Sequence, residues 1–286
     1  MRKALLKKIF FTSMFSLGLC ISTGTVHAEN IRTVQIGDMR VSLLSEGNAP
    51  GKPEVIINAS PEEKGKYIPE GNFTSAVNAF LITTTDKKIL VDTGYGRAIL
   101  KNLEKLGCKP QDIDAILITH MHGDHIGGML KDGAPAFPNA QIYIAEKELA
   151  YWQDKPAAQT LAAYGNKVNT FTPGEFDKGL NLFPGISAIA TYGHTPGHTS
   201  YLVQSKNQAA LIWGDITHVT QIQLPLPEIF VTYDVTPEQA VKTRQALFAY
   251  LADKNILVAA THIEKPGMGY IKSTEKVNSY KFSFIE

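Results

Sequence analysis

The stretch HMHGDH carries His120, His122, Asp124 and His125 directly after a short apolar run, IDAILIT. Such a run is typical of a strand that is buried on both faces of a sheet. At an extended strand end, His120 and His122 project to the same side, and Gly123 lets the backbone turn so that the next two side chains converge with them. The chain must therefore fold so that a buried strand ends at a cluster of imidazole and carboxylate groups.

This loop cannot complete a metal site alone, because a catalytic zinc site needs another imidazole or carboxylate from elsewhere in the chain. Three further segments supply candidates: His198 follows the strand SAIAT after a Pro-Gly turn, WGD ends in Asp215, and ATH ends in His262. Each residue alone is more often structural, as a histidine bonded to a backbone carbonyl or an aspartate in a turn. Their occurrence together in one chain favours a shared metal site.

Predicted strands outnumber predicted helices and fall into two groups, each followed by helical segments. Gly37-Asp38 and Asp86-Lys87 mark hairpin turns in the first group, and Lys206-Asn207 joins two strands of the second. The alternation in VNSYKFSF predicts an edge strand near the C terminus. These features predict an α+β fold, a four-layer αβ/βα sandwich in which two sheets pack face to face and helices cover the outer surfaces.

Several connecting segments have their own local signals. A helix from about Gly96 has one apolar stripe and ends at Gly107, and EKELAYWQD predicts a second helix. A third begins at Thr236, where Thr-Pro-Glu-Gln supplies an N-cap, a proline at the first helical position and a capping-box glutamine, and it runs to about Asp253. The stretch ASPEEKGKYIPEGN breaks the strand pattern and is predicted to be a surface loop.

Residues 1–28 differ in kind from the rest of the chain. Four basic residues precede an apolar run from Ile9 to Val26, and Val26-His27-Ala28 offers small residues for cleavage, which is the pattern of a secretory signal peptide. The alternative is a retained anchor, but serine, threonine and glycine dilute the run below a good spanning helix. We expect one mature domain over residues 29–286, located in the periplasm or secreted.

The composition of residues 29–286 limits the partners. Without the first 28 residues the chain has 24 basic residues against 27 acidic ones, a net charge of −3. No dense stripe of lysine and arginine remains, so we expect no nucleic acid and, after signal removal, no membrane as a partner. Cys108 is the one cysteine left, so no internal disulfide can form and stability must come from the core. The sequence leaves a homodimer open.

Taken together, HMHGDH, GHTPGHT, GD and the late TH resemble the metallo-β-lactamase-fold hydrolase superfamily, which implies the sandwich fold for residues 29–286. The stretches VDTGYG, FPNAQIYIAEKELAYW, HTPGHTSYLV, YDVTPEQAVKTRQALFAYL and THIEKPGMGYI resemble its methyl parathion hydrolase-like branch, which contains secreted phosphotriesterases and lactonases. The similarity covers most of residues 75–275. It implies a hydrolase of small lactones, esters or phosphotriesters.

When the family pattern is carried over position by position, it implies two metal ions. Zinc is preferred because the ligand atoms are nitrogen and oxygen and include no thiolate, and manganese, cobalt or iron also fit. The ions would share a water and generate the hydroxide that attacks the substrate. Asp215 would bridge the ions, and Asp124 or a metal-bound water would pass a proton to the leaving group. The implied ligands are His120, His122 and His198 for one ion and Asp124, His125 and His262 for the other.

Four further residues carry weaker signals. Asp92 in VDTG resembles the family aspartate that orients a metal-bound histidine, and the alternative is a turn-forming aspartate. Trp152 aligns with a tryptophan of the substrate pocket in methyl parathion hydrolase, although a tryptophan on a helix face is more often part of the core. His194 and His218 match no implied ligand position, and we interpret them as structural or rim residues.

Three functions remain in competition. A hydrolase acting on a small neutral substrate is favoured, but the phenylalanines that complete the methyl parathion hydrolase pocket have no counterpart between Trp152 and Thr172, which weakens organophosphate hydrolysis as the native activity. An exported metallo-β-lactamase comes second, since the lactamase subclass with this histidine loop lacks the bridging aspartate at Asp215. The third is a periplasmic metal-binding protein without turnover.

Overall fold

A computed structural model describes residues 31–264 and 267–285 of the chain. The predicted signal peptide over residues 1–28 lies outside the described residues. Within the described part, no helix is both long enough and apolar enough to span a membrane.

The first half of the chain builds a seven-stranded sheet and a small two-stranded ribbon. Its strands are β1 Ile31–Ile36, β2 Met39–Gly51, β3 Phe73–Thr83, β4 Lys88–Val91, β5 Ala115–Leu117, β6 Leu130–Lys131, β7 Ala134–Pro135, β8 Gln141–Ala145 and β9 Val168–Phe171. The sheet has the order β1-β2-β3-β4-β5-β8-β9, and β6 pairs with β7. Strands β1 to β4 are antiparallel neighbours, whereas β4, β5, β8 and β9 run parallel. The hairpin predicted at Gly37-Asp38 connects β1 to β2 and is confirmed.

The second half builds another seven-stranded sheet, in which the strands lie in chain order. These strands are β10 Leu180–Phe183, β11 Ile186–Ala190, β12 Thr199–Ser205, β13 Gln208–Ile212, β14 Leu257–Ala259, β15 Met268–Ser273 and β16 Tyr280–Phe284. All neighbours are antiparallel except β13 and β14, which are parallel. Strand β16 lies at the edge, as the alternation in VNSYKFSF predicted.

Seven α-helices connect these strands in the described part of the chain: α1 Pro61–Tyr67, α2 Ile99–Lys105, α3 Gly123–Ile126, α4 Glu146–Trp152, α5 Ala158–Ala162, α6 Thr220–Gln223 and α7 Pro237–Lys254. Helix α2 ends shortly before Gly107, which has the positive φ of a helix stop. Helix α7 starts with proline after Thr236, as predicted, but the Thr236 side chain makes no capping hydrogen bond. The capping box predicted there does not form.

One connecting segment corrects the sequence interpretation. The stretch predicted to be a loop contains α1, whose N-cap Ser60 accepts the Glu63 N–H while the Glu63 carboxylate accepts the Ser60 N–H. Serine followed three residues later by glutamate is a capping-box signal, and it outweighs the glycine in the helix. No apolar face marks this helix, because all of its residues are exposed or half-buried.

Apolar side chains alternate across each sheet and so fill three layers of core. In β3, Phe80 and Ile82 pack between the two sheets, whereas Leu81 faces the helices on the outer side of the first sheet. On the opposite outer surface, Leu247 and Phe248 of α7 cover the second sheet. The predicted four-layer αβ/βα sandwich is confirmed, and its two sheets bring the carboxyl ends of β4, β5, β11, β13 and β14 to one edge.

Candidate metal centre

The HMHGDH loop follows β5 and begins the short helix α3 at this edge. His120 and His125 are fully buried, while Asp124 retains some exposure toward solvent. The loop packs closely on the segment after β4, where a Cβ on Gly128 would lie 2.5 Å from the carbonyl oxygen of Thr93. A side chain at position 128 would therefore push the loop away from its support.

Three imidazole nitrogens converge on one point. His120 Nε2 lies 2.9 Å from His122 Nδ1 and 3.2 Å from His194 Nε2, and His194 Nε2 lies 3.0 Å from His122 Nδ1. Asp215 Oδ2 lies 3.3 Å from His194 Nε2 and 3.5 Å from His120 Nε2. Three nitrogens and one oxygen at these separations match the donor set of a tetrahedral zinc site. We refer to His120, His122 and His194 as the first ligand set.

A second ligand set, Asp124, His125 and His262, lies beside the first. Asp124 Oδ2 is 3.6 Å from His262 Nε2 and 3.9 Å from His125 Nε2. Asp215 stands between the sets, because its Oδ1 is 3.1 Å from His125 Nε2 and its Oδ2 is 3.1 Å from His262 Nε2. The structure therefore gathers six of the seven predicted ligands and places the predicted bridging residue at the junction.

Two buried atoms at the junction have no hydrogen-bond partner among the described residues: His125 Nε2 and Asp215 Oδ1. They lie 3.1 Å apart without forming a hydrogen bond with each other. A buried polar atom without a partner destabilises the fold by roughly 1–3 kcal/mol. Two such atoms facing one another are explained if their lone pairs are directed at a cation, so the residues present fit a metal ion.

The structure corrects the assignment of His198. Its Nδ1 lies 3.0 Å from the carbonyl oxygen of Thr191, to which it donates, and its Nε2 accepts the backbone N–H of Asp215 at 2.9 Å. Both ring nitrogens are thus used by the backbone, and no lone pair is left for a metal. His194, interpreted from the sequence as structural, instead places a ring nitrogen among those of His120 and His122, where it could bind the ion. Both histidines lie between β11 and β12, so the expectation that ligands follow strand ends does not choose between them.

Asp92 supports the second ligand set. Its carboxylate accepts the N–H of Thr119 at 2.8 Å and the Thr119 hydroxyl at 2.7 Å, and it lies 2.7 Å from His125 Nδ1. A carboxylate on Nδ1 fixes the tautomer that leaves Nε2 free to bind a metal. Asp92 adopts a left-handed conformation with φ of 58°, which turns the chain after β4 so that the carboxylate faces this histidine.

His194 has an equivalent support that sequence reasoning missed. Its Nδ1 lies 3.0 Å from Asp234 Oδ1, and Asp234 Oδ2 is 3.5 Å from a guanidinium nitrogen of Arg244. Arg244 is buried in α7 and also donates to the carbonyl oxygens of Ile216 and Ile229. The buried arginine therefore fixes both the carboxylate behind His194 and the segment that follows Asp215. No local motif marks this pair.

His218 and Trp152 flank the two ligand sets. His218 stacks on His262 with ring centroids 4.9 Å apart, and its Nε2 is 3.0 Å from Asp215 Oδ2. It thus lies against the bridging carboxylate rather than at a distant rim. Trp152 packs edge-on against His122, with ring centroids 5.5 Å apart.

A cavity of about 440 Å³ opens over both ligand sets. Its polar floor contains His122, Asp124 and Asp215. The side chains of its walls include Phe73, Ser75, Val77, Tyr95, His218 and Tyr233. Of the residues that the structure describes, none that lines this cavity is a lysine or an arginine. Trp152 does not line it and instead borders a second cavity of about 360 Å³ on the other side of His122.

Burial and the neighbouring charges divide the imidazoles into two protonation classes. Burial lowers the pKa of His122 to about 3, and burial also holds the pKa of His120 well below its ordinary value. His194 behaves oppositely: burial opposes its charged form, but hydrogen bonds to Asp215 and Asp234 raise its pKa to about 9. At neutral pH, the apoprotein therefore holds a proton on His194 and none on His120 or His122.

Zinc binding to the apoprotein should consequently release protons near neutral pH. A metal binds only the neutral imidazole, so below a pKa of about 9 the proton on His194 competes with the metal and the apparent affinity rises with pH up to that value. Calorimetric titration in buffers of different ionisation enthalpy measures the released protons. Asp234→Asn removes one of the groups that raise the pKa of His194, so this variant should release fewer protons when zinc binds. If the binding enthalpy of the unaltered protein did not depend on the buffer, His194 would not carry the proton assigned to it.

With the geometry established, the sequence model of the metallo-beta-lactamase superfamily matches residues 73–262, a range that contains every residue of both ligand sets. This chain belongs to the metallo-beta-lactamase superfamily. Among its superfamily relatives is an N-acyl homoserine lactonase of Bacillus cereus, which is 29% identical over 176 residues, covering 60% of this chain and 66% of the lactonase.

Two solved structures of the metallo-beta-lactamase fold resemble the whole domain. Hydrolase AbOPH is 29% identical with a TM-score of 0.79, and the match covers 91% of this chain and 99% of that protein. AidC, a dizinc quorum-quenching lactonase solved with a homoserine product, is 24% identical with a TM-score of 0.82, covering 90% and 99%. Superfamily membership, the lactonase relatives and the cluster of ligands together identify this chain as a metal-dependent hydrolase.

Proposed function

We propose that this protein uses two zinc ions to hydrolyse a small neutral lactone. The observation that carries the proposal is the position of Asp215, whose two oxygens face both ligand sets: Oδ2 lies 3.3 Å from His194 Nε2 and Oδ1 lies 3.1 Å from His125 Nε2. Two bound ions supply a Lewis acid for the substrate oxygen and activate the attacking water. The nitrogen and oxygen donors suit zinc, and manganese, cobalt or iron also fit.

Asp124 is the carboxylate best placed to move a proton. Its side chain is 19% exposed, against 2% for Asp215, and it lines the cavity. Burial opposes its ionisation, but the charges of His125 and His262 lower its pKa, so it is a carboxylate at neutral pH. An oxygen of Asp124 can accept a proton from the attacking water and deliver it to the leaving alkoxide, which opens the lactone ring.

The cavity walls favour a neutral substrate over a β-lactam. Phe73, Val77 and Tyr233 provide apolar and aromatic surface, which binds uncharged groups. A β-lactam antibiotic carries a carboxylate, which an enzyme binds with a cation beside the metal, and the described part of this lining contains no lysine or arginine. The exported metallo-β-lactamase therefore stays the second candidate.

The second cavity supports a lactone with an apolar substituent. It is lined by Met121, Ile126, Leu130 and Trp152, and it shares His122 and Gly123 with the first cavity. A substrate whose ring lies over the metals can place an apolar chain there by crossing Gly123. The related N-acyl homoserine lactonase of Bacillus cereus acts, by its name, on a lactone ring that carries an acyl chain, which supports a substrate of this kind.

Closing the passage between the cavities should change chain-length selectivity. A Cβ at Gly123 meets no atom within 4 Å, so a side chain there starts in open space between the two cavities. We expect Gly123→Leu to lower kcat/KM for long-chain acyl lactones about 10-fold relative to short-chain ones. A loss of about this size is typical when one or two methylene groups of a substrate are excluded from an apolar pocket. Gly123→Ala is the matched control; equal losses for long and short chains would show that the passage is not used.

The deciding experiment is a kinetic screen of the zinc-loaded protein. The protein used begins at residue 29, because the signal pattern predicts cleavage after Ala28. The substrates are acyl lactones, a paraoxon-like triester and nitrocefin, each measured with a chelator-treated control. Preferred hydrolysis of lactones supports the proposal. Preferred turnover of the triester or of nitrocefin overturns the lactone assignment, and bound zinc without any turnover supports a metal-binding protein.

A further inference from the structure

Glu148 of α4 is a fully buried carboxylate that belongs to neither ligand set. Four hydrogen-bond donors surround it. Its Oε1 accepts the N–H of Met121 at 3.0 Å and the indole N–H of Trp152 at 2.6 Å. Its Oε2 accepts the hydroxyl of Thr195 at 2.6 Å and the N–H of Gly197 at 3.1 Å.

This bonding pattern requires an ionised side chain. A carboxylate has about four lone-pair sites on its two oxygens, and four donors occupy them here. A protonated carboxyl group would place its own hydrogen against one of the donors. Gly197 also permits the contact, because a Cβ at that position would lie 2.1 Å from the backbone nitrogen of Glu148. The chain is thus built to bring two loops onto this carboxylate.

The donors belong to the segments that carry the first ligand set. Met121 lies between His120 and His122 in the chain, and Trp152 packs against the His122 ring. Thr195 directly follows His194 and bonds to the same carboxylate. Glu148 therefore connects the two loops from which all three imidazoles of this set project.

The second ligand set has different supports. Asp92 bonds to His125, and His262 Nδ1 lies 2.8 Å from the carbonyl oxygen of Ala76. The hydrogen bonds of Glu148 hold loop positions next to His120, His122 and His194, whereas Asp124 and His125 lie further along the loop that contains Met121. Glu148 therefore supports the first ligand set together with Asp234, and Asp92 is the carboxylate bonded directly to an imidazole of the second set.

We propose that Glu148 is a positioning residue that sets the metal affinity of His120, His122 and His194 and has a much smaller effect on that of the second ligand set. The inference rests on the two-ion part of the proposed function and is independent of the substrate. Loss of the charge in Glu148→Gln leaves at least one loop N–H facing an amide hydrogen, so the two loops separate and their imidazoles no longer share one point. Residues that support metal ligands typically change metal affinity by about 10–100-fold.

The experiment measures zinc affinity in two single-site backgrounds by competition with a chromophoric chelator. His262→Ala leaves the first ligand set, and His194→Ala leaves the second. We expect Glu148→Gln to weaken zinc binding about 10–100-fold in the first background and less than threefold in the other. Asp92→Asn is the comparison variant: it removes the carboxylate bonded to His125, so it should weaken zinc binding more in the second background than Glu148→Gln does. No assay of hydrolysis is involved, so failure of the lactone screen leaves this result unaffected.

Two outcomes overturn the proposal. Equal weakening in both backgrounds shows that Glu148 only stabilises the fold, and no weakening in the first background shows that it does not position the ligands. Should Glu148→Gln fail to fold, Thr195→Val removes one donor and keeps the side-chain volume. That variant should weaken zinc binding in the first background alone, by a smaller factor, and an unchanged affinity there would count against the proposal.

Discussion

Replacing Asp215 with asparagine should lower the kcat of hydrolysis by more than about 100-fold. Residues that only support a metal ligand typically change activity by up to about 100-fold, so a larger loss is expected for a ligand itself. The side-chain volume is nearly conserved, so the effect comes from charge. Asp215 Oδ2 lies 3.0 Å from His218 Nε2, 3.1 Å from His262 Nε2 and 3.3 Å from His194 Nε2. An amide offers one weaker acceptor there and directs hydrogens at the remaining nitrogens.

The measurement for Asp215→Asn is zinc content together with kcat. We expect at least one of the two ions to be lost. Burial opposes ionisation of Asp215, yet the charges of His125 and His262 hold its pKa well below the ordinary value, so the native side chain is charged across the assay range. Asp112→Asn, a half-exposed carboxylate paired with Lys88, is the control and should change neither quantity. Two retained zinc ions with kcat within threefold of the native value would exclude a bridging role.

The paired variants His194→Ala and His198→Ala should separate a ligand from a structural histidine. His194→Ala removes one of three convergent nitrogens, so we expect loss of one zinc ion and a drop in hydrolysis of more than about 100-fold. His198→Ala leaves the Asp215 N–H and the Thr191 carbonyl without partners, at a cost of roughly 1–3 kcal/mol each in the free energy of unfolding.

Zinc stoichiometry and thermal unfolding of the apoproteins distinguish these two outcomes. His198→Ala should bind two zinc ions at saturation and unfold at a lower temperature, whereas His194→Ala should bind one. The opposite result, with His198→Ala losing the ion and His194→Ala keeping both, would restore the sequence assignment. Loss of one ion in both variants would show that the backbone support from His198 is itself needed for metal binding.

The sequence predicted the layered fold and the general position of the site because both depend on local patterns. Apolar runs ending at His120, Asp215 and His262 mark strand ends, and the carboxyl ends of parallel neighbours such as β13 and β14 meet at one edge of a sheet. The choice between His194 and His198 failed because family resemblance alone does not decide which histidine of GHTPGHT has a ring nitrogen free for the ion. Hydrogen bonding to the backbone decides it, and that is visible only in the fold.

The supporting residues were beyond sequence reasoning for a different reason. Glu148 reaches Thr195 across 47 positions of the chain, and Asp92 reaches His125 across 33. Only Asp92 was identified, because it stands in a recognisable VDTG motif. Trp152 shows the same limit: its helix was predicted, but the cavity that it faces depends on how α4 packs beside His122.

The aromatic and apolar walls of the metal-site cavity include Phe73, Val77, Tyr95 and Tyr233, whereas the metal ligands come from the loops after β5, β11, β13 and β14. Among the described residues, the side chains of these four make no hydrogen bond to a ligand, so substitutions there can accumulate while the imidazoles and carboxylates stay in place. Evolution can therefore change the range of substrates in such a protein by small steps while the chemistry of bond cleavage is inherited intact, and a descendant need not pass through an inactive ancestor.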